Sequence, residues 1–168
     1  MSRRGGRRRV VGMKAILLIL AVVVVGCAST SIFDPNNKNH VVIEKKIRHI
    51  IDKPEGELTR ADFEKVTRFS LAGNRQITDI SPLRTLTKLN YLNISEMSLT
   101  DDQLKHLSEL TNLELLALDD NPDLTGTNLN ELTKLKKLRN LYLQHTKVTE
   151  ADVAQLQKAL SKCDIRWR

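Results

Sequence analysis

The sequence has few of the residues and motifs on which enzymes and metalloproteins depend. It contains two cysteines and four histidines among 168 residues, with no CxxC pair and no histidines at ligand spacing. A glycine-rich phosphate loop and a recognisable Ser-His-Asp set are also missing. These absences indicate no catalytic residues, no metal ligands and no cofactor, so an enzyme is the least favoured functional class.

A hydrophobic run long enough to span a membrane is also missing. The apolar run 15–25 is 11 residues long, whereas a spanning helix needs about 20. Five arginines and one lysine precede this run, and it ends in Val24-Val25-Gly26-Cys27. A basic region, a short apolar core and small residues at a cleavage site are typical of a secretory signal. We therefore predict a signal peptide over residues 1–26.

The ending Val24-Val25-Gly26-Cys27 resembles the lipobox of bacterial lipoproteins. The resemblance implies cleavage before Cys27 and acylation, for example with palmitate, of its thiol and new amino terminus. The protein would then be a membrane-anchored lipoprotein of the cell envelope. Ala28 stands where an Asp would signal retention at an inner membrane, so an outer membrane is expected if the organism has one. An ordinary signal peptide and an uncleaved anchor are the alternatives.

The residues before the apolar run leave two further alternatives open. Arg3-Arg4 could belong to a twin-arginine export signal, although Gly5-Gly6 lacks the apolar residues of that motif. Translation could instead begin at Met13, because Met13-Lys14 and the apolar run after it already form a complete lipoprotein signal.

The net charge of the whole chain is a poor guide to the kind of partner that the mature protein binds. The chain carries +7, but residues 1–26 contribute six basic and no acidic residues. Without them, 21 basic residues face 20 acidic ones, a net charge of +1. A nucleic-acid binder is expected to carry a basic stripe on its folded face. The sequence therefore predicts no nucleic-acid partner.

The strongest pattern in the chain is a repeat of apolar columns. Successive copies begin 23, 24 and 25 residues apart, which is the period of a leucine-rich repeat. A fifth copy, which we align 22 residues after the fourth, is predicted to place Cys163 in a core column as a small buried residue; a reactive thiol is the alternative. The five copies are Val66-x-x-Phe69-x-Leu71, Leu89-x-x-Leu92-x-Ile94, Leu113-x-x-Leu116-x-Leu118, Leu138-x-x-Leu141-x-Leu143 and Leu160-x-x-Cys163-x-Ile165.

These columns resemble those of bacterial leucine-rich repeat proteins over about residues 41–168, and the segment 76–83 is similar to an internalin-type repeat. The resemblance implies an α/β solenoid with a short, curved parallel sheet. Asn74 and Asn121 match the asparagine that follows the strand in this family, whereas the corresponding Met97 and Thr146 do not. A continuous asparagine ladder is therefore not expected.

The segments between the strands predict a change along the convex side. The internalin-like copy favours a tight return, while Thr100 to Gln103 and Thr149 to Asp152 have the spacing of helix capping boxes or close variants. Apolar residues then recur at helical spacing in both later copies. We therefore expect tight turns early in the stack and short helices later.

Residues ahead of the repeats divide into a tether and a cap. Residues 27–40 are polar and predict a lipidated tether. In residues 41–65, four isoleucines form a helical stripe and Thr59 with Asp62 suits the start of a second helix. A terminal repeat needs its core covered, so we predict an N-terminal helical cap, followed by repeats over residues 66–168. A partner-binding or membrane-lying helix is the alternative for the stripe, whose members are Ile43, Ile47, Ile50 and Ile51.

The outward strand positions form the candidate partner-binding surface. Tyrosines and a leucine surrounded by polar groups are a common interface composition. The alternative is that a shallow sheet simply tolerates such residues, and that Asp119-Asp120 is a solvated edge rather than a cation site. Trp167 is expected to pack over the last coil. The predicted concave-face site comprises Tyr91, Asn93, Leu115, Ala117, Asp119, Asn140, Tyr142 and Gln144.

Together these patterns predict a lipid-anchored cell-envelope protein that binds a protein or a cell-wall component through its concave sheet. The alternative is a structural or spacer lipoprotein without a dedicated ligand.

Overall fold

The structure, a computed structural model, describes residues 32–168. The predicted signal peptide over residues 1–26, the lipid attachment at Cys27 and the alternative start at Met13 lie outside the described residues. Among the helices within residues 32–168, none is long and apolar enough to cross a membrane.

Five short strands form one parallel sheet in which the strand order follows the chain order. Each strand has three residues, and its middle residue points into the coil because side chains alternate along a strand. The chain must travel back to the same sheet edge before each new strand, which makes the architecture a solenoid. The strands are β1 (Arg68–Ser70), β2 (Tyr91–Asn93), β3 (Leu115–Ala117), β4 (Asn140–Tyr142) and β5 (Asp164–Arg166).

The sheet register confirms the predicted columns of the first four copies. Phe69 pairs with Leu92, Leu92 with Leu116, and Leu116 with Leu141. All four side chains lie in the core, and Leu116 at the centre of the stack is fully buried. One coil cannot bury its own apolar side, so contacts between neighbouring coils stabilise the stack. The fold is an α/β leucine-rich repeat solenoid.

The predicted alignment of the fifth copy is wrong. Leu141 pairs with Ile165 rather than with Cys163, so β5 is displaced by two residues from the expected register. The Cys163 N–H donates to the Leu160 carbonyl at 2.9 Å, as the Leu138 N–H donates to the Leu135 carbonyl at 2.9 Å in the fourth copy. The shift of two residues preserves the inward face. Cys163 is therefore buried as predicted, but ahead of the strand.

Each of the four returns between strands contains a short helical segment. Three of them contain short 3-10 turns, at Ser81–Thr85, Asp101–Leu107 and Leu129–Lys134, and the last contains an α-helix, α3 (Glu150–Ala159). The short helix expected after Thr100 is present as a 3-10 helix, and the one expected after Thr149 is an α-helix.

Both of these returns begin with a capping box, but Gln103 makes a further contact. Thr149 and Asp152 form a reciprocal capping box, with the Thr149 N–H donating to Asp152 Oδ2 at 2.9 Å and the Asp152 N–H donating to Thr149 Oγ1 at 3.3 Å. In the other return, the Thr100 N–H reaches Gln103 Oε1 at 3.4 Å, while Gln103 Nε2 donates to the Thr78 carbonyl of the preceding copy. Gln103 therefore caps the start of the 3-10 helix and also links two returns.

In each of the first four copies, a residue with a left-handed backbone conformation follows the strand at the same position. These residues are Gly73, Glu96, Asp120 and His145, with φ of 78°, 56°, 55° and 55°. The N–H groups of the first three donate to carbonyls of the next copy at 2.9 to 3.0 Å. The turn that reverses the chain thus also links adjacent coils.

Asn121 confirms the asparagine position of the family in one copy. Its side chain is fully buried, and its Oδ1 accepts from the N–H groups of Met97 and Leu99 at 3.1 and 3.0 Å. Its Nδ2 donates to the carbonyl of Ile94 at 3.0 Å. Asn74, by contrast, donates within its own turn. The ladder is therefore discontinuous, as predicted.

Two helices precede the first strand, and the first of them begins before the predicted start of the cap at residue 41. Helix α1 (Lys38–Ile50) starts at the N-cap Asn37, whose side chain accepts from the Asn39 N–H at 2.9 Å, and Phe33 is buried. The tether predicted to reach residue 40 therefore overlaps the first turn of α1. The polar composition of this segment reflects helix capping, in addition to exposure to solvent.

Two isoleucines of the predicted stripe are the buried residues of α1. Ile43 and Ile47 are fully buried, whereas Ile50 is 41% exposed. Helix α2 (Arg60–Phe63) follows, and its capping box from Thr59 and Asp62 is as predicted.

Candidate functional site

The outward positions of the five strands form two registered rows on the concave face. Six of the eight predicted site residues lie in these rows, and the other two, Asp119 and Gln144, follow β3 and β4. The displacement of β5 brings Asp164 into the first row and Arg166 into the second. The first row is Arg68, Tyr91, Leu115, Asn140 and Asp164, and the second row is Ser70, Asn93, Ala117, Tyr142 and Arg166.

Tyr91 lies on β2 in the first row, between Arg68 on β1 and Leu115 on β3. Its half-buried ring is covered by the guanidinium of Arg68, whose carbon Cζ lies 4.0 Å from the ring centroid. Leu115 is its neighbour on β3 and is also half-buried. A guanidinium at this distance from an aromatic ring makes a favourable cation–π contact. Arg68 thereby holds the Tyr91 ring in place and presents a positive charge beside it.

Tyr142 repeats this arrangement on the other half of the face. Its neighbour Arg166 places Cζ 5.6 Å from the Tyr142 ring centroid. Arg166 also donates from Nε to Asp164 Oδ2 at 3.0 Å, in a contact between two exposed side chains. On the other side of Tyr142 the register places Ala117, a small and buried residue. The Tyr142 ring therefore has no large side chain beside it in the row on that side.

The predicted cluster of Tyr91, Leu115 and Tyr142 is thus spread over two rows. Tyr91 and Leu115 are direct neighbours in one row, and Tyr142 lies on the next strand in the other row. Because parallel strands lie about 4.8 Å apart, the two tyrosines are separated by roughly 10 Å with β3 between them. A partner that contacts both must cross at least three strands.

A shallow depression of about 330 Å³ opens beside Tyr91 and Leu115. It brings an aromatic ring, an aliphatic side chain, two arginines, a carboxylate and amides together. Its lining residues are Arg68, Asn90, Tyr91, Glu114, Leu115, Arg139 and Asn140.

Several residues of this surface were not predicted. Asn90, Glu114 and Arg139 immediately precede the strands β2, β3 and β4, and their common column is visible in the repeat alignment. Arg68 and Arg166 belong to outward columns of the alignment but reach the tyrosine rings from neighbouring strands. The repeat columns could have identified these positions, whereas the ring contacts depend on the folded register.

The remaining predicted site residues bond within the protein. Asp119 Oδ1 accepts from the Gln144 N–H at 2.9 Å, and Gln144 Nε2 donates to the Arg168 carbonyl at 2.9 Å. Asn93 Oδ1 accepts from the Ser95 N–H at 3.0 Å. These polar groups stabilise the turns that follow the strands.

The adjacent aspartates 119 and 120 do not converge on a common point for a cation. Asp119 bonds to the backbone as described, and Asp120 Oδ1 lies 2.8 Å from His145 Nδ1. Within residues 32–168, no group of three or more His, Cys, Asp or Glu side chains is arranged to hold a metal ion.

The structure brings His40 to Asp79 and Ser81, which lie 39 and 41 residues further along the sequence. His40 Nε2 lies 2.8 Å from Asp79 Oδ2 and 3.3 Å from Ser81 Oγ, while its Nδ1 accepts from the Asp34 N–H at 3.0 Å. In a Ser-His-Asp triad the serine and the carboxylate occupy opposite nitrogens of the ring. Here both occupy Nε2, and the arrangement differs from that of a nucleophilic site.

This group links the cap to the first repeat. Asp79 also accepts from Asn37 Nδ2 at 2.9 Å, so both α1 and its N-cap are bound to the return after β1. Desolvation by itself would raise the pKa of Asp79, but hydrogen bonds from the Ser81 N–H and hydroxyl and from His40 outweigh it and lower the pKa to about 2. The carboxylate is therefore ionised when it holds the cap.

Cys163 has the properties of a structural residue. Its side chain is buried, and desolvation, with a smaller contribution from Asp164, raises the pKa of the thiol to about 11. The thiolate is the reactive form of cysteine, so this environment suppresses its reactivity. Trp167 packs partly buried against the core, as predicted, with Arg168 Cζ 4.2 Å from its ring centroid.

Comparisons with known proteins support the architecture. No family model matches the chain. No curated protein matches it either. The chain resembles the crystal structure of internalin C2 from Listeria monocytogenes at 18% identity with a TM-score of 0.52, covering 74% of this chain and 63% of that chain. It thus spans about three fifths of that internalin, and the likeness concerns the fold alone.

Two further solved structures match at lower TM-scores. Internalin F from Listeria monocytogenes has 20% identity and a TM-score of 0.43, covering 74% of this chain and 54% of that chain. A leucine-rich repeat protein of Leptospira interrogans has 23% identity and a TM-score of 0.42, covering 65% of this chain and 33% of that chain.

Proposed function

We propose that this chain is a lipid-anchored protein of the bacterial cell envelope that binds another protein through its concave sheet. The observation that carries the proposal is the pair of arginine-backed tyrosines, Tyr91 with Arg68 and Tyr142 with Arg166, on either side of Leu115. Tyrosine and arginine, together with tryptophan, are enriched at the energetic centres of protein interfaces.

The burial of these residues suits recognition of a partner. Tyr91, Leu115, Asn140 and Tyr142 are each half-buried, so each offers a fixed surface without wide conformational freedom. A side chain that is already held loses less entropy when it binds. The surrounding Asn and Glu side chains supply a polar rim, which is the usual anatomy of a protein interface. A cell-wall component is the second partner class that this polar surface suits.

The envelope location rests on the sequence. The segment ending in Cys27 has the form of a lipoprotein signal, and the folded domain begins by Phe33, a few residues later. Two acyl chains give stable attachment where one is marginal. Cys27→Ser is expected to release the chain from the membrane fraction or leave it unprocessed. Mass spectrometry that finds an unmodified Cys27 in the wild-type membrane fraction would exclude the anchor.

The concave site is tested by recovery of the partner from cells that express the tagged, membrane-anchored chain. The wild type is expected to recover one protein in stoichiometric amount, and Tyr91→Ala with Tyr142→Ala is expected to lose it while the thermal unfolding transition is retained. Lys105→Glu, an exposed change on the second 3-10 turn, is the matched control and should preserve recovery.

The competing function is that of a spacer without a dedicated ligand. It predicts that no protein is recovered in stoichiometric amount with the wild type. If Lys105→Glu loses the partner and the double tyrosine variant does not, the binding site lies on the returns between the strands and not on the concave sheet.

A further inference from the structure

The outward face of α1 combines apolar and basic side chains and has no carboxylate. At 100° per residue, this face lies away from the buried Ile43 and Ile47. The only acidic residue of α1, Glu44, lies on the flank and pairs with Arg48 at 2.7 Å. The residues of the outward face are Lys38, Val41, Val42, Lys45 and His49.

The exposed apolar surface of the described residues is concentrated on this part of the chain. Val41 and Val42 are each 44% exposed, Ile50 is 41% exposed and Ile32 is 37% exposed. Within residues 32–168 these are the large apolar side chains that are classed as exposed, and all lie within 19 consecutive positions. The packing of the cap uses Ile43 and Ile47, so the two valines are not required to close the stack.

The position of this surface in the chain points to what covers it. Ile32 follows Cys27 by five residues, and five residues reach at most about 18 Å even when fully extended. If Cys27 is acylated, the start of the cap cannot lie far from the lipid headgroups. Lys38 and Lys45 on the same face carry the charge that anionic headgroups attract.

We propose that the outward face of α1 lies against an anionic lipid surface. Val41 and Val42 contact the headgroup region, and Lys38 and Lys45 extend their ammonium groups to lipid phosphates while their methylene stems cover the valines. The inference rests on the acylation of Cys27 proposed above. Two valines and two lysines are too few to hold a protein on a membrane by themselves. The acyl chains supply the attachment, and the helix face orients the domain.

Tryptophan quenching by brominated lipids tests this orientation. The full chain is expressed with its own signal, purified, and placed in vesicles of phosphatidylcholine and phosphatidylglycerol whose acyl chains carry bromine. Val42→Trp probes the outward face, and Lys105→Trp, on the second 3-10 turn, is the matched control. The signal of Trp167 is measured in the wild-type chain and subtracted.

The proposal predicts about threefold stronger quenching at position 42 than at position 105 in the anionic vesicles. Replacing Lys38 and Lys45 by Gln, or omitting phosphatidylglycerol, should reduce that difference. Equal quenching at the two positions in folded, vesicle-bound chains would overturn the proposal.

The mass of the purified chain shows whether Cys27 is acylated, and it therefore separates a failure of the proposed anchor from a failure of the proposed orientation. A chain without acyl groups would overturn the anchor and not the orientation. The same tryptophan variants are then coupled through Cys27 to a maleimide lipid, and position 42 must still be quenched more than position 105. Cys163 does not compete for the maleimide because it is buried.

Discussion

The two ends of the stack are closed by different means. At the amino-terminal end, α1 buries Ile43 and Ile47 completely and is held to the first return by Asp79. At the carboxy-terminal end, Ile165 and Trp167 are only partly buried, and β5 alternates between exposed and partly buried residues. A separate helix therefore covers the core beside the first strand, whereas the apolar side chains of the fifth copy that pack beside the last strand are only partly buried.

This difference indicates an uneven distribution of stability along the solenoid. In a repeat protein, each coil is stabilised by its own contacts and by those with its neighbours. A coil whose core residues are partly exposed opens more readily than one whose core residues are fully buried. We therefore expect the fifth copy to unfold locally before the cap. Arg166, which contacts Tyr142 from β5, belongs to this less stable end.

The largest effect is expected at the centre of the stack, between the two ends. Leu116 is fully buried with coils on both sides, so Leu116→Ala removes packing and leaves a cavity. The expected cost is about 2–5 kcal/mol in the free energy of unfolding. Denaturant unfolding measures it, and an unchanged midpoint would contradict the core position of this column.

The two ends can be compared directly by truncating one isoleucine at each. Ile47→Ala is expected to cost about 3 kcal/mol because the side chain is fully buried in the cap, and Ile165→Ala about 1 kcal/mol because the side chain is only partly buried. Native-state hydrogen exchange should also show faster exchange for the amides of β5 than for those of β1. Equal costs and equal exchange would remove the difference between the ends.

The attachment of the cap is expected to depend on pH. The folded-state pKa of Asp79 is lowered from 3.8 to about 2, so its contribution is present above pH 4 and is lost as the pH falls through 4 towards 2. Because about a third of the carboxylate is exposed, we expect this contribution to be about 1 kcal/mol after solvent screening. Asp79→Asn should remove it and flatten the acid limb of the stability curve. An acid limb identical to that of the wild type would contradict the contact.

The smallest effect is expected at the left-handed turns. Gly73 has φ of 78° and open space around its Cβ position, so Gly73→Ala costs only the left-handed conformation, about 1 kcal/mol. Glu96 occupies the same turn position in the next copy with φ of 56°, and Glu96→Gly is expected to stabilise the fold by up to about 1 kcal/mol. Thermal unfolding of the two variants should shift in opposite directions.

The core columns could be predicted from sequence because one physical rule governs every copy. Leu92, Leu116 and Leu141 recur at nearly constant spacing, and only a solenoid buries them all. The last copy departs from that spacing. Cys163 takes the turn position that Leu138 holds in the fourth copy, and the strand then follows one residue sooner, which displaced the predicted register of β5.

The contacts of the candidate site depend on features that repeat columns do not contain. The rows of Tyr91 and Tyr142 could be predicted from strand alternation, but the placement of Arg166 beside Tyr142 required the true register of β5. His40 and Asp79 are 39 residues apart and belong to no common column. Contacts between a cap and a repeat follow from the docking of α1, which the periodicity of the repeats does not determine.

The most direct test of the account is photo-crosslinking from the concave sheet in living cells. A benzophenone amino acid at position 115, between the two arginine-backed tyrosines, should crosslink the membrane-anchored chain to one protein of defined mass. The same amino acid at position 105, on the second 3-10 turn, should not. A crosslink from position 105 and none from position 115 would contradict a concave-face partner, and no crosslink from either position would favour the spacer.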